Sequence, residues 1–131
     1  MNIGSAATQT GLPVKTIRYY EEIGLVTPDR RANGYRDFDA GCVEQLRLLA
    51  QARHLGFSLE ECRRLLALSA DEGRASRDVR ALAQQNLEAV REKIASLNAL
   101  EAQLEGLIAQ CHGDDAPDCA ILDELMGLRT D

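Results

Sequence analysis

Apolar residues recur at alternating steps of four and three from Ser76 to Cys111: Ala83, Leu87, Val90, Ile94, Leu97, then Leu104, Ile108 and Cys111, with charged Glu101 interrupting the series. This is a heptad seam, and Leu82, Leu100 and Leu107 widen it. The stretch has no Pro, only Gly106 near its far end, and many strong helix formers. It predicts one helix, roughly 50 Å long at 1.5 Å per residue, too long for a small globular core. Burying five or six Leu, Ile and Val at about 1.5–3 kcal/mol each gives on the order of 10 kcal/mol per chain before ordering costs. Either the seam packs on the chain's own domain or a second copy covers it. Its length favours a homodimer.

Ahead of the seam the periods are short and frequently broken. Residues 2–10 read as a helix with Ile3, Ala6 and Ala7 inward, ended by Gly11. Pro13 suits the first position of a second helix reaching Glu22 and stopping at Gly24. Two short helices around a Gly-containing turn form a helix-turn-helix pattern. Val14 and Ile17 mark one face of the second helix, and Lys15, Arg18 and Tyr19 another. A face of that kind can bring cations to phosphates and forked donors to base edges.

Asn33-Gly34 then signals a two-residue hairpin, with Arg30, Arg31, Tyr35 and Arg36 around its tip. A cationic hairpin after a helix-turn-helix reads as a wing lying on a DNA backbone or in a minor groove; the alternative is an ordinary solvated hairpin. Asp39 can cap a third helix to Leu55, with Cys42, Val43, Leu46, Leu49, Ala50 and Arg53 on its inner face. Ser58 and Glu61 form a capping box opening a fourth helix to about Leu68, with Leu59, Cys62, Leu65 and Leu66 inward. Cys42 and Cys62 therefore read as inert core residues. Polar residues 69–75 form a linker, and Ser76 is expected to cap the long helix.

Beyond Cys111, His112-Gly113-Asp114-Asp115-Ala116-Pro117-Asp118 has turn-forming character and leads to Cys119; residues 120–126 then read as a short amphipathic helix. Such a loop can bring two sulfurs together. Two thiolates suit a soft ion of low coordination, copper(I), silver(I) or gold(I), whereas zinc usually takes four ligands. Two thiolates on a monovalent ion leave a net −1, which a helix N-terminus can balance. If two long helices pair antiparallel, Ser76 of one meets Cys111 of the other. His112 is a possible extra ligand. Free thiols or a reversible disulfide are the alternatives, and Asp114, Asp115 and Asp118 lack the pattern of a calcium loop.

Charge refines the picture. The net −6 is uneven: residues 1–64 carry nine basic against eight acidic groups, residues 65–131 six against thirteen. Within residues 1–36 the balance is five basic to three acidic, a local excess suited to a polyanion despite the acidic whole. No signal peptide or membrane span is evident, so a cytoplasmic setting with reduced thiols is expected.

The chain resembles the MerR family of transcriptional regulators through Ile3 to Gly11, the run from Thr16 to Val26 with Arg18-Tyr19-Tyr20-Glu21 and Gly24-Leu25, Asn33-Gly34-Tyr35-Arg36, and Leu48 to Glu60. The Cys-x7-Cys loop with Gly113-Asp114-Asp115 and Asp118 looks like the copper-efflux branch, where two loop cysteines bind copper(I) and a Ser stands at the position of Ser76. His112 departs from the Pro expected there.

The resemblance implies a mainly α homodimer with winged helix-turn-helix heads (1–68), a linker (69–75), an antiparallel dimerisation helix (76–110), a metal loop (111–119) and a short helix and tail (120–131). Such a dimer would bind double-stranded promoter DNA. The metal-bound form would distort that DNA so that RNA polymerase engages it. Lys15, Arg18 and Tyr19 would enter the groove, with Arg31, Tyr35 and Arg36 on the wing. A thiol-redox or divalent-metal sensor on the same scaffold is the alternative, and no enzymatic arrangement is recognisable.

Overall fold

Six helices and one two-stranded ladder make up the computed structural model, which describes residues 1–30 and 34–128. Contacts divide the chain into two compact units, Met1–Asn86 and Leu87–Asp131.

In the first unit, α1 (Ile3–Thr10) starts where Asn2 accepts from the Ser5 amide at 2.8 Å, and ends at Gly11 with φ 74°. α2 (Val14–Glu22) follows Pro13, which is extended at ψ 145° and stands as the N-cap, one residue before the helical position expected of it. Its missing N–H costs nothing at either place. β1 (Asp29–Arg30) pairs antiparallel with β2 (Arg36–Asp37), Asp29 opposite Asp37 and Arg30 opposite Arg36. That register is offset by one residue from the one a two-residue Asn33-Gly34 turn requires, which would set Arg30 opposite Asp37. Gly34 does supply a left-handed residue, at φ 84°. Arg31 and Asn33 lie outside the described residues.

α3 (Ala40–His54) is capped by Asp39, which accepts from the Cys42 amide at 2.8 Å. α4 (Leu59–Ala70) carries the expected capping box: Ser58 Oγ accepts from the Glu61 amide at 3.1 Å, and Glu61 accepts from the Ser58 amide at 2.9 Å. The helix runs two residues past its expected end.

The core gathers Ala6, Ile17, Phe38, Leu46, Leu49 and Cys62, all fully buried, around the α1–α3 and α3–α4 contacts. Ala52, rather than Arg53, completes the inner face of α3. Arg53 is exposed and donates to the Phe57 carbonyl at 2.9 Å. α5 spans Ser76–Gln110, with Ser76 inside its first turn and not at the cap. Leu82 joins the core at 2 % exposure, correcting its placement on the seam; Asn86 is buried and donates from Nδ2 to the Leu55 carbonyl at 2.9 Å. One helical turn apart, these two residues tie the start of α5 to the α3–α4 turn.

In the second unit α5 continues, followed by a turn-rich loop and α6 (Ala120–Leu125). The Asp114 carboxylate accepts from the Ala116 amide at 2.9 Å, and Gly113 is left-handed at φ 64°. Among the described residues, no helix is long and apolar enough to cross a membrane.

Candidate metal centre and nucleic-acid interface

The end of α5 and the start of α6 set the two loop cysteines. Cys111 directly follows the last turn, its amide bonded to the Leu107 and Ile108 carbonyls at 3.2 Å. Cys119 is the N-cap of α6, and its carbonyl accepts from the Asp123 amide at 3.0 Å. The Sγ atoms stand 4.0 Å apart, both residues half-buried and both thiols free. A disulfide needs about 2.05 Å. Two metal–thiolate bonds of about 2.3 Å reach at most about 4.6 Å between sulfurs, so the observed gap fits a single bridging ion.

No first-turn amide makes a capping hydrogen bond to the Cys119 sulfur within the ordinary distance. The amide dipole of Leu122 nevertheless lowers its thiol pKa, helped by Ile121 and Cys111 against the opposing effect of desolvation. Among the described residues no third His, Cys, Asp or Glu joins the pair. His112 is exposed, and Ser76 is exposed at the opposite end of α5 within the same chain. The donor set that the described residues of one chain bring together is thus two sulfurs, soft donors that suit a thiophilic ion.

Cys42 and Cys62 occupy the opposite environment. Both are buried, their Sγ atoms facing the Thr27 and Phe57 carbonyls at 3.6 and 4.0 Å. Burial pushes both thiols up.

On α2, Ile17 and Tyr20 face the core, leaving Lys15, Arg18 and Tyr19 exposed together on the outer face. Tyr35 is 73 % exposed near the wing tip. Arg36 is different: its Nε meets Glu21 Oε2 on α2 at 2.5 Å, and that carboxylate strengthens the guanidinium's hold on its proton. Arg63 of α4 donates to the Ile23 carbonyl at the end of α2, 3.0 Å away. Neither anchor has a signal in the sequence, because pairing across 15 and 40 positions leaves no local pattern. Along α5 the seam is uncovered: Leu87, Ile94, Leu97, Leu104 and Ile108 are 45–63 % exposed, Ala83 is exposed and Val90 half-buried.

These elements define a winged helix-turn-helix protein with a long helix and a dithiol loop. Residues 1–69 match the family model described as "MerR HTH family regulatory protein", and residues 43–107 match "MerR, DNA binding". The chain is 57 % identical over 125 residues to the HTH-type transcriptional regulator HmrR of Rhizobium leguminosarum bv. viciae, covering 95 % of this chain and 97 % of that one. It is 45 % identical to CueR of Yersinia pestis, covering 97 % and 92 %. The crystal structure of the transcription regulator PbrR691 from Ralstonia metallidurans CH34 in complex with lead(II) superposes with TM-score 0.80 at 31 % identity, covering 95 % and 98 %. The chain belongs to the MerR family of helix-turn-helix transcriptional regulators.

Proposed function

We propose that this protein is a copper(I)-responsive transcriptional activator, with silver(I) and gold(I) as alternative signals of the same chemistry. The observation carrying this reading is the pair of sulfurs 4.0 Å apart without a third ligand among the described residues. Cys111 and Cys119 would hold the ion as thiolates, and the lowered pKa of Cys119 favours the form that binds. A bound ion would pin the loop to the end of α5. The copper assignment draws on the likeness of the loop to the copper-efflux branch. The lead(II)-bound relative supports metal sensing on this fold without selecting the metal.

A second copy of the chain is the proposed cover for the exposed seam of Ala83, Leu87, Val90, Ile94, Leu97, Leu104 and Ile108, since an uncovered apolar stripe of this length is an association surface. Antiparallel pairing would bring Ser76 of one chain to the cysteines of the other. There its hydroxyl and the helix N-terminus offset the residual negative charge, and His112 borders the site. Each head would present Lys15, Arg18 and Tyr19 to the groove, with Arg31, Tyr35 and Arg36 beside the backbone. The loaded dimer would distort double-stranded promoter DNA in the cytoplasm, acting on RNA polymerase through DNA shape. The ion must favour the distorting state by its differential affinity for the two states.

In vitro transcription from the promoter the protein regulates, titrated with copper(I), silver(I), zinc and mercury(II) under reducing conditions, tests this. Activation by the monovalent ions at low concentration is expected, and activation by zinc alone would overturn it. The 4.0 Å thiol pair also favours a second reading, a redox sensor closing a Cys111–Cys119 disulfide. That reading requires peroxide to activate in the presence of a copper chelator, with a loss of two hydrogens in the intact mass.

A further inference from the structure

The wing is a weak structure by itself. It has two residues in each strand, and a lone hairpin of that size is marginal at best. Its register works against it as well: Arg30 faces Arg36, and Asp29 faces Asp37. Like charges directly opposite one another destabilise a ladder.

Relief comes from outside the hairpin. The Met1 amino group donates to Asp37 Oδ1 at 2.7 Å and to the Phe38 carbonyl at 3.0 Å, while the Phe38 amide donates to the Met1 carbonyl at 2.8 Å. Phe38 is fully buried beneath. These contacts fix the base of the hairpin in the head. On the side facing α2, Arg36 pairs with Glu21, and Glu21 is the less exposed partner, at 19 % against 42 %.

Glu21 stands next to the basic face of α2, one turn beyond Arg18 and the residue before exposed Glu22. Beside a polyanion, a carboxylate there should simply repel. We infer that Glu21 is instead a positioning residue for DNA binding, whose carboxylate holds Arg36 and thereby sets the wing at a fixed angle to the groove-entering helix. A guanidinium has five N–H donors. Arg36 anchored through Nε can therefore still face a phosphate, and Glu21 orients it to do so. The inference rests on the DNA-reading function proposed above.

Glu21→Gln separates the two views, because they predict opposite signs. Simple electrostatics makes the variant bind DNA more tightly, having removed a negative charge. Positioning makes it bind more weakly, by about tenfold for a dimer using two heads. The slope of log affinity against log salt should barely change, since every cation is retained. The full-length protein is measured on a duplex that the wild type has selected from a random-sequence pool. Hydroxyl-radical footprinting should show lost protection under the wing and retained protection under α2.

Arg36→Lys keeps the charge but not the fork, and should weaken binding to a similar degree. Adding Glu21→Gln to Arg36→Gln should cost nothing more than Arg36→Gln alone. Equal or tighter binding by Glu21→Gln, full affinity in Arg36→Lys, or additive effects in the double variant would each overturn the inference. Failure of the wild type to select any duplex would sink the DNA-reading function itself, a different and recognisable outcome.

Discussion

Four cysteines and two sets of apolar side chains meet opposite fates in the two units of this protein. In Met1–Asn86 the hydrophobic residues bury one another, and Cys42 and Cys62 lie buried among them with raised pKa values. In Leu87–Asp131 the apolar stripe is half or more exposed at Ile94, Leu97, Leu100, Leu104 and Ile108, and Cys111 and Cys119 stand partly open with one thiol pKa lowered. The first unit is satisfied by its own chain. The second has surfaces and donors that require something else, in our reading a second copy and a metal ion. Residue type does not decide a cysteine's role; its surroundings do.

The sharpest way to break this contrast is on the exposed stripe. Ile94→Asp places two charges in the proposed dimer seam, and should raise the dimer dissociation constant more than a hundredfold, roughly 3 kcal/mol or above. Sedimentation should then show monomer at concentrations where the wild type is dimeric. An unchanged dimer would mean the stripe is covered by something other than its copy.

A paired experiment compares one leucine from each unit. Leu46→Ala empties a fully buried site and should cost about 2–5 kcal/mol in thermal unfolding at any protein concentration. Leu104→Ala should shift the transition in a manner that depends on concentration, because its burial depends on association. Concentration-independent loss at Leu104 would move that residue into the first class.

Arg18→Ala should weaken DNA binding by about 1–3 kcal/mol and reduce the salt slope by about one if Arg18 meets a phosphate, without changing metal affinity. Smaller still, Ser58→Ala removes one half of a capping box and should cost about 1 kcal/mol in head stability with no effect on dimerisation.

Thiol chemistry reads the same contrast directly. Iodoacetamide should modify Cys111 and Cys119 in the native protein, and Cys42 and Cys62 only after unfolding. The lowered pKa of Cys119 means more thiolate at a given pH, so its labelling should rise at a lower pH than that of a free cysteine. Native labelling of Cys62 would show a core looser than its full burial implies.

Much of this was legible in the residues because it is local. The Asp39 cap, the Ser58–Glu61 box, and the glycines at 11 and 34 with positive φ each act over three or four positions. The Cys-x7-Cys loop is similarly local, and its turn residues do bring the sulfurs to 4.0 Å. What could not be read depends on distant partners. Leu82 lies beside the seam in sequence and yet belongs to the head, because the α3–α4 turn that Asn86 bonds lies 31 positions away. Nothing around Glu21 in the sequence marks its role, because its partner Arg36 lies 15 positions further on. The hairpin register, too, differs by one residue from what Asn33-Gly34 signals, its second strand being anchored from Met1 and from α2.

The central claim is that Cys111 and Cys119 form a two-sulfur site for a monovalent soft ion. X-ray absorption at the copper edge of the anaerobically loaded protein tests it most directly. Two sulfur neighbours and no further ligand shell are predicted, with the signal lost in Cys119→Ser while DNA binding persists. Four light-atom neighbours, or an unchanged copper environment in that variant, would contradict it.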